Sequence, residues 1–276
     1  MRVYLNGTYL AAAEARLSVD DRGFLFGDGI YEVARAVDGR LFEAGRHLER
    51  LARGARALRL AAPAPDAMLD VWERLLDENG LGTGEALVYC QVTRGAAVRA
   101  HPFPAAGVPA TVYAFAQALT PPDALRATGA AAVTFPDLRW GRCDLKTVNL
   151  LPNVLARQAA AEAGAFEAVL VRLPDDDAPP SDGDVVAAHV GGVRGAEGTV
   201  TEGSLSAVFG VVEGVLRTHP EGARILPSIT RAVVLELAAA LGVPHAERAL
   251  SLAELRRCDE LFVANTTADV LPVTRL

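Results

Sequence analysis

Apolar residues recur along the chain in two rhythms. Between His47 and Leu60 they fall at Leu48, Leu51, Ala52, Ala55 and Leu58, the spacing that lays one apolar stripe along a helix. Pro65 to Glu78 reads as a second helix, stopped by Asn79-Gly80. Tyr31 to Val37 followed by Asp38-Gly39 reads as a hairpin strand and its turn. Ala86 to Thr93 and Ala110 to Phe115 are further strands, and so are Ala130 to Phe135 and Ala168 to Arg172. Leu150 to Ala163 is a helix that takes Pro152 in its first turn. Thr230 to Leu241 is another, capped by Ser228 or in the Thr230 region. Ser251-Leu252-Ala253-Glu254 is a capping box opening a short helix.

Strands and helices therefore mix throughout, which predicts a mixed α+β or α/β fold. Thr120-Pro121-Pro122-Asp123 breaks both rhythms and is the expected boundary of two domains. These are a small N-terminal α/β domain over 1–119, a linker over 120–124 and a larger domain over 125–276. Leu173 to Gly198 holds three consecutive aspartates, Pro179-Pro180 and several glycines. That composition predicts a loop-like insert, with an acidic binding segment as the alternative. No repeat of roughly 20–50 residues is visible.

Composition narrows the function. An apolar fraction of 51% with 22% charged residues excludes a disordered chain. A net charge of −7 argues against nucleic acid as the main partner. No apolar run approaches the roughly 18 residues of a membrane span, and Met1-Arg2-Val3-Tyr4-Leu5 is not a secretory leader, so a cytoplasmic protein is expected. Cys90, Cys143 and Cys258 show neither metal spacing nor a disulfide framework. The 27 basic residues are lopsided: all are arginine except Lys146. Arginine covers solubility, ion pairing and oxyanion binding, but it cannot lose its proton near neutral pH and attack a carbonyl as an amine. Codon bias alone leaves such a remnant by chance, so the neighbours of Lys146 decide.

Lys146 lies in Arg142-Cys143-Asp144-Leu145-Lys146-Thr147-Val148-Asn149, just before a predicted helix and among apolar residues. A lysine in partly apolar surroundings gives up its proton more readily and becomes a nucleophile. That suits a Schiff base to an aldehyde cofactor such as pyridoxal phosphate, which also needs a phosphate anchor, an acid for the pyridine nitrogen and a group for the substrate carboxylate. Arg50 at the start of a helix offers a bidentate pair to phosphate. Leu226-Pro227-Ser228-Ile229-Thr230 leads into a helix whose free N–H groups form an anion site. Thr266 and Thr267 offer hydroxyls, and Glu202 is a lone acid in a Thr/Gly/Ser turn before an apolar strand. Each has an ordinary reading alone: Arg50 as a surface helix charge, Glu202 as a solvated turn acid, a helix-start threonine as a cap.

Together these residues resemble the fold-type IV pyridoxal-phosphate enzymes, which include branched-chain aminotransferases, D-amino acid aminotransferases and aminodeoxychorismate lyases. Asp21-Arg22-Gly23-Phe24-Leu25-Phe26-Gly27-Asp28-Gly29-Ile30-Tyr31-Glu32-Val33 is similar to the N-terminal signature of that family. The Lys146 segment, Thr199-Val200-Thr201-Glu202-Gly203-Ser204 and Ile229-Thr230-Arg231 are similar to its lysine, pyridine-nitrogen and phosphate segments. The resemblance covers nearly the whole chain and is nearest to the D-amino acid aminotransferase branch. It implies a two-domain enzyme that moves amino groups between D-amino acids such as D-alanine and 2-oxoglutarate. Lys146 then carries pyridoxal 5'-phosphate and acts as general base, and Glu202 meets the ring nitrogen. Arg50, the Ile229 and Thr230 amides and Thr266 hold the phosphate. Glu32 and Glu167 fall near the cofactor in roles left open.

The Arg99-Ala100-His101 loop separates the branches. By resemblance Arg99, His101 and Tyr31 hold the substrate carboxylate, with the loop entering the neighbouring subunit's site, which implies a homodimer. A carboxylate trapped there would present the D-enantiomer. The alternatives are a branched-chain or (R)-amine transaminase or an aminodeoxychorismate lyase on the same chemistry, and a catalytically silent dimeric binding protein. Three departures from the family stand out. Ser204-Leu205-Ser206-Ala207 replaces the usual Ser-x-x-Asn, the 173–198 insert is long, and the sequence stops at Thr274-Arg275-Leu276 where relatives commonly continue.

Overall fold

The structure, a computed structural model, describes residues 1–174, 185–186, 192–193 and 197–276. Most of the predicted 173–198 insert thus lies outside the described residues. The chain divides into two compact units, Met1–Pro121 with Leu145–Asn149, and Pro122–Asp144 with Leu150–Leu276.

The first unit contains strands β1 (Arg2–Leu5), β2 (Thr8–Ala11), β3 (Gly29–Val37), β4 (Arg40–Leu41), β5 (Glu85–Thr93) and β6 (Thr111–Ala118). Its helices are α1 (Arg22–Phe26), α2 (Ala44–Leu58) and α3 (Pro65–Glu78). Among the described residues its strands join in the order β2-β1-β6-β5-β3-β4. The β3–β4 hairpin turns on Asp38 and Gly39, both at positive φ (47° and 74°), as a tight two-residue turn requires. Helix α3 has the predicted bounds. Helix α2 starts earlier than its apolar stripe suggests, and it ends where Arg59 turns left-handed at φ 53°. The stripe of α2 (Leu48, Leu51, Ala55) packs with Trp72 and Leu75 of α3 against Ile30, Ala34, Val88 and Ala114 of the sheet. Strand alternation sends the other side chains of β3 and its neighbours to the opposite face. There Tyr31 stacks on Tyr89, and Tyr89 on Phe115, at 5.7 and 5.2 Å between ring centroids.

The second unit contains α4 (Asp123–Thr128), β7 (Ala130–Pro136), α5 (Leu151–Glu162), β8 (Glu167–Arg172), β9 (Thr199–Gly203), β10 (Ala207–Val212), β11 (Val215–Thr218), α6 (Ile229–Ala240), β12 (His245–Glu247), α7 (Leu252–Leu255), β13 (Glu260–Asn265) and β14 (Asp269–Arg275). Among the described residues these strands run in the order β12-β11-β10-β13-β14-β7-β8-β9. β7 and β8 pair in parallel through α5, whose small face (Ala156, Ala159, Ala160) lies on Phe135, Ala168 and Leu170. Ser228 caps α6 by accepting from the Arg231 amide at 3.2 Å, and the Ser251–Glu254 capping box opens α7. The mixed α/β class expected from the patterning is the one found. Among the described residues no helix is long and apolar enough to cross a membrane.

Candidate active site

The single lysine stands beside β3. Leu145–Asn149 runs antiparallel to the start of that strand: the Tyr31 amide donates to the Lys146 carbonyl at 3.0 Å, and the Val148 amide to the Gly29 carbonyl at 3.1 Å. This short ladder pins the Lys146 backbone to a sheet edge and leaves its side chain half-buried. The Lys146 Nζ sits 4.2 Å from the centroid of the Tyr31 ring, within cation–π range.

Period-two alternation turns Glu32, the next residue, toward the helices. It is fully buried and bound three times. Arg50 Nε donates to Oε1 at 2.7 Å and Nη2 to Oε2 at 2.8 Å, and His47 Nδ1 lies 2.9 Å from Oε2. His47 and Arg50 are three apart on α2, so both point off the same face. Burial alone would raise the Glu32 carboxyl, but the Arg50 guanidinium, the hydrogen bonds and the charge of Lys146 together hold it at about 2. Arg50 is thus buried and engaged by Glu32. It is not the solvated surface charge of its ordinary reading.

The N-terminal signature forms a polar hub under the Arg99 loop. Asp21 caps α1 through the Gly23 amide (2.8 Å) and accepts from the hydroxyls of Thr93 (3.0 Å) and Thr111 (2.6 Å). Arg22, also buried, donates to Asp28 at 2.9 Å and to the Ala100 carbonyl at 2.6 Å. Arg94 makes a two-point pair with Asp28 (2.7 and 2.9 Å) and donates to the Leu58 carbonyl at 2.8 Å. Arg99 and His101 project from this support onto the Phe26 ring, at 5.2 and 5.6 Å from its centroid, and both are exposed. Among the described residues no hydrogen bond, ion pair or ring contact joins them to Tyr31. Asp21, Arg22, Asp28 and Arg94 were not singled out from the sequence. For Asp21, Arg22 and Asp28 the signal is the density of Asp, Arg and Gly inside the signature, and only their partners show what it is for.

In the second unit Glu202 lies within β9, buried, and not in a solvent-facing turn; the Thr-Glu-Gly-Ser run is strand because β9 pairs with β8. Its Oε1 accepts from Arg139 Nη1 and from the Leu226 amide at 3.1 Å. Among the described residues its Oε2 accepts only from that same amide, at 3.2 Å. Burial raises the Glu202 carboxyl, and Arg139 opposes the rise. Arg139 is itself held by Asp137 through Nε and Nη2, each at 2.9 Å. The Ile229 and Thr230 amides open α6 ahead of the Ser228–Arg231 cap, in the first turn where N–H groups lack helical acceptors. Thr266 is half-buried in the β13–β14 turn, shaped by Asn265 Oδ1 accepting from the Thr267 and Ala268 amides at 2.9 and 2.8 Å.

Glu167 is buried and caged by donors: the amides of Ala168 (2.7 Å) and Ser204 (3.0 Å), and the hydroxyls of Ser204 and, at 2.6 Å, Ser206. Gly203 permits this approach, since a Cβ there would lie 3.0 Å from the Glu167 carboxyl carbon. Both serines of the departing Ser204-Leu205-Ser206-Ala207 stretch are therefore committed to Glu167. Leu205 is 59% exposed and Ala207 buried, and neither brings a polar side chain.

The parts fit a phosphorylated aldehyde cofactor by their chemistry. They include one side-chain primary amine, a buried carboxylate whose Oε2 accepts only from the Leu226 amide among the described residues, and a capped helix start whose first-turn amides lack helical acceptors. Among the described residues no group of three or more His, Cys, Asp or Glu side chains is placed to hold a metal.

The family model for amino-transferase class IV matches residues 29–174 and 193–276. A D-alanine aminotransferase of Staphylococcus epidermidis is 36% identical over 276 residues, covering 100% of this chain and 89% of the relative. One from Bacillus licheniformis is 37% identical over 277 residues, covering 100% and 88%. Among solved structures, a branched-chain amino acid aminotransferase from Escherichia coli superposes with a TM-score of 0.79 at 22% identity, over 99% of this chain and 85% of that one. A branched-chain aminotransferase from Thermoproteus uzoniensis gives 0.79 at 24% identity, over 100% and 86%. At those identities the structural likeness speaks for the fold alone.

Proposed function

Because this chain belongs to the class IV aminotransferases, we propose that it transfers the amino group of D-amino acids such as D-alanine to 2-oxoglutarate, giving an oxo acid and D-glutamate, with pyridoxal 5'-phosphate as cofactor. The observation that carries the reading is the lone lysine, pinned to the β3 edge with its amine over the Tyr31 ring. The relatives named D-alanine aminotransferase support the substrate class.

When bound, pyridoxal phosphate supplies a carbonyl carbon for the amino group and an electron-poor ring that takes up the electron pair left at the substrate Cα. Lys146 would hold the cofactor through its Nζ, and the freed amine would take the substrate Cα proton and return it to the other reacting carbon. Tyr31 keeps the Nζ in register. Glu202 would accept a hydrogen bond from the ring nitrogen. The Ile229 and Thr230 amides, the Thr266 hydroxyl and Arg50 hold the phosphate, with Glu32 fixing the plane of the Arg50 guanidinium. Arg99, His101 and the Tyr31 hydroxyl bind the substrate carboxylate. Arg99 and His101 are exposed, and among the described residues no hydrogen bond or ring contact joins them to Tyr31, which supports their serving the site of a second copy in a homodimer.

The test has two arms. Purified protein given pyridoxal phosphate should turn yellow and hold the colour through gel filtration, and Lys146→Ala should not. The yellow protein should turn over D-alanine and D-glutamate but not L-leucine. Arg99→Ala should keep the colour and weaken donor use roughly ten- to hundred-fold, as loss of a charge-assisted carboxylate pair implies. Activity on L-leucine without D-alanine would overturn the substrate assignment. A protein that takes up no cofactor would overturn the enzyme reading.

A further inference from the structure

Glu202 does not stand alone. Its Oε1 is ion-paired to Arg139, and Arg139 is clamped from behind. Both Asp137 oxygens grip the guanidinium at 2.9 Å, the Arg139 amide also donates to Asp137 at 3.2 Å, and Nη2 reaches the Arg224 carbonyl at 3.1 Å. Asp137 is fixed in turn by the Thr201 hydroxyl at 2.8 Å and through its own amide to the Val171 carbonyl at 2.8 Å. All three charged side chains are buried, at 1% exposure for Asp137, 7% for Arg139 and 8% for Glu202.

We infer that Arg139, locked by Asp137, is a positioning residue that keeps Glu202 in place and favours its charged form, so that Glu202 can accept from a protonated ring nitrogen. This rests on the role given to Glu202 in the proposed function.

Three observations carry it. A carboxylate buried to this depth takes up a proton unless a cation opposes its desolvation, and Arg139 is the cation in contact. The clamp uses Nε and Nη2 for Asp137 and leaves Nη1 to Glu202, so the guanidinium cannot swing away without breaking several bonds at once. The triad also carries two negative charges and one positive. Its surplus negative charge favours one more cation, which a protonated pyridine nitrogen supplies. The other groups facing Glu202 do not replace Arg139. The Leu226 amide is neutral, Asp137 opposes ionisation of Glu202, and the nearby Cys143 thiol is raised to about 11 by burial and so is neutral near pH 7.

The experiment reads the two ends of the device separately. In cofactor-free protein, the Glu202 side-chain carbon is followed by 13C NMR against pH, its resonance assigned by loss in Glu202→Gln. Arg139→Gln should raise its titration midpoint by about one to three pH units. Arg139→Lys, which keeps the charge, should restore most of the shift even if it folds less stably. In protein loaded with 15N-labelled pyridoxal phosphate, the ring nitrogen should be protonated at pH 7 in the parent and shift toward the unprotonated position in both Arg139→Gln and Glu202→Gln. A parent-like midpoint in Arg139→Gln, with a parent-like ring signal, would overturn the role of Arg139. A ring signal unmoved by Glu202→Gln would instead remove the role of Glu202 itself, while the cofactor-free titration still judges Arg139.

Discussion

Glu32 shows how far one residue can be understood from its place in a strand. The alternation of β3 fixes which face it takes, because Tyr31 and Glu32 must point oppositely. What the sequence does not show is its partner, since Arg50 is eighteen residues away on another element. Hence Arg50 could be linked to an anion from sequence, while the carboxylate fixing it could not. The pair makes a stability prediction. Glu32 is held at about 2 against an ordinary 4.5, so its contribution is complete above about 4.5 and is lost as pH falls toward 2. Glu32→Gln should cost roughly 3–5 kcal/mol at neutral pH, because it leaves the Arg50 charge buried without its counter-charge. In urea unfolding the gap between parent and variant should narrow below pH 4. A gap that stays constant down to pH 2.5 would show that the charge pair is not its source.

At the scale of elements, legibility tracked length. The helix over Pro65–Glu78 and the strands flanking the Asp38-Gly39 turn emerge directly from apolar period and turn chemistry. Helix α1 did not, because its five residues are too few for a period and one of them is glycine. It exists through its ends: Asp21 caps the start, and Gly27, at φ 66°, closes it in a conformation that other residues resist. Glu202 was misplaced in a turn for a related reason. Thr, Gly and Ser favour turns locally, and pairing with β8 overrides that preference. Because Asp21 also binds Thr93 and Thr111, α1 is tied to the strand ends that carry the Arg99 loop. Asp21→Ala should therefore cost about 2–4 kcal/mol, the cap plus two buried hydroxyls left without an acceptor. It should also speed hydrogen exchange at the amides of residues 95–101 ahead of those in β5. Parent-like exchange across that loop would mean that Arg22 and Arg94 suffice to hold it.

At the scale of the whole molecule, the net charge of −7 and the lone lysine belong to different places. The negative charge is spread along the chain, whereas Lys146, Arg50 and Arg99 are the cations proposed to meet an anionic cofactor and substrate. A chain so charged still exposes large apolar side chains beside the Arg99 loop: Phe24 at 75% and Val98 at 90%. The two lie on segments joined by the Arg22–Gly95 and Arg22–Ala100 bonds, at 2.9 and 2.6 Å. Apolar groups left open next to substrate-binding residues are what a second copy would cover in the proposed homodimer. Phe24→Glu with Val98→Asp should turn a dimer into a monomer in sedimentation velocity at micromolar concentration. The monomer should still bind pyridoxal phosphate at Lys146, since no residue proposed to hold the cofactor lies in that loop. It should lose turnover of D-alanine, because Arg99 and His101 would no longer reach a partner's site. Mixing this variant with Lys146→Ala should not recover activity, whereas mixing Arg99→Ala with Lys146→Ala should, through hybrid dimers with one complete site. If the double variant sedimented as a monomer and kept full turnover, each chain would be supplying its own carboxylate trap, and Arg99 and His101 would have to fold back onto their own Tyr31.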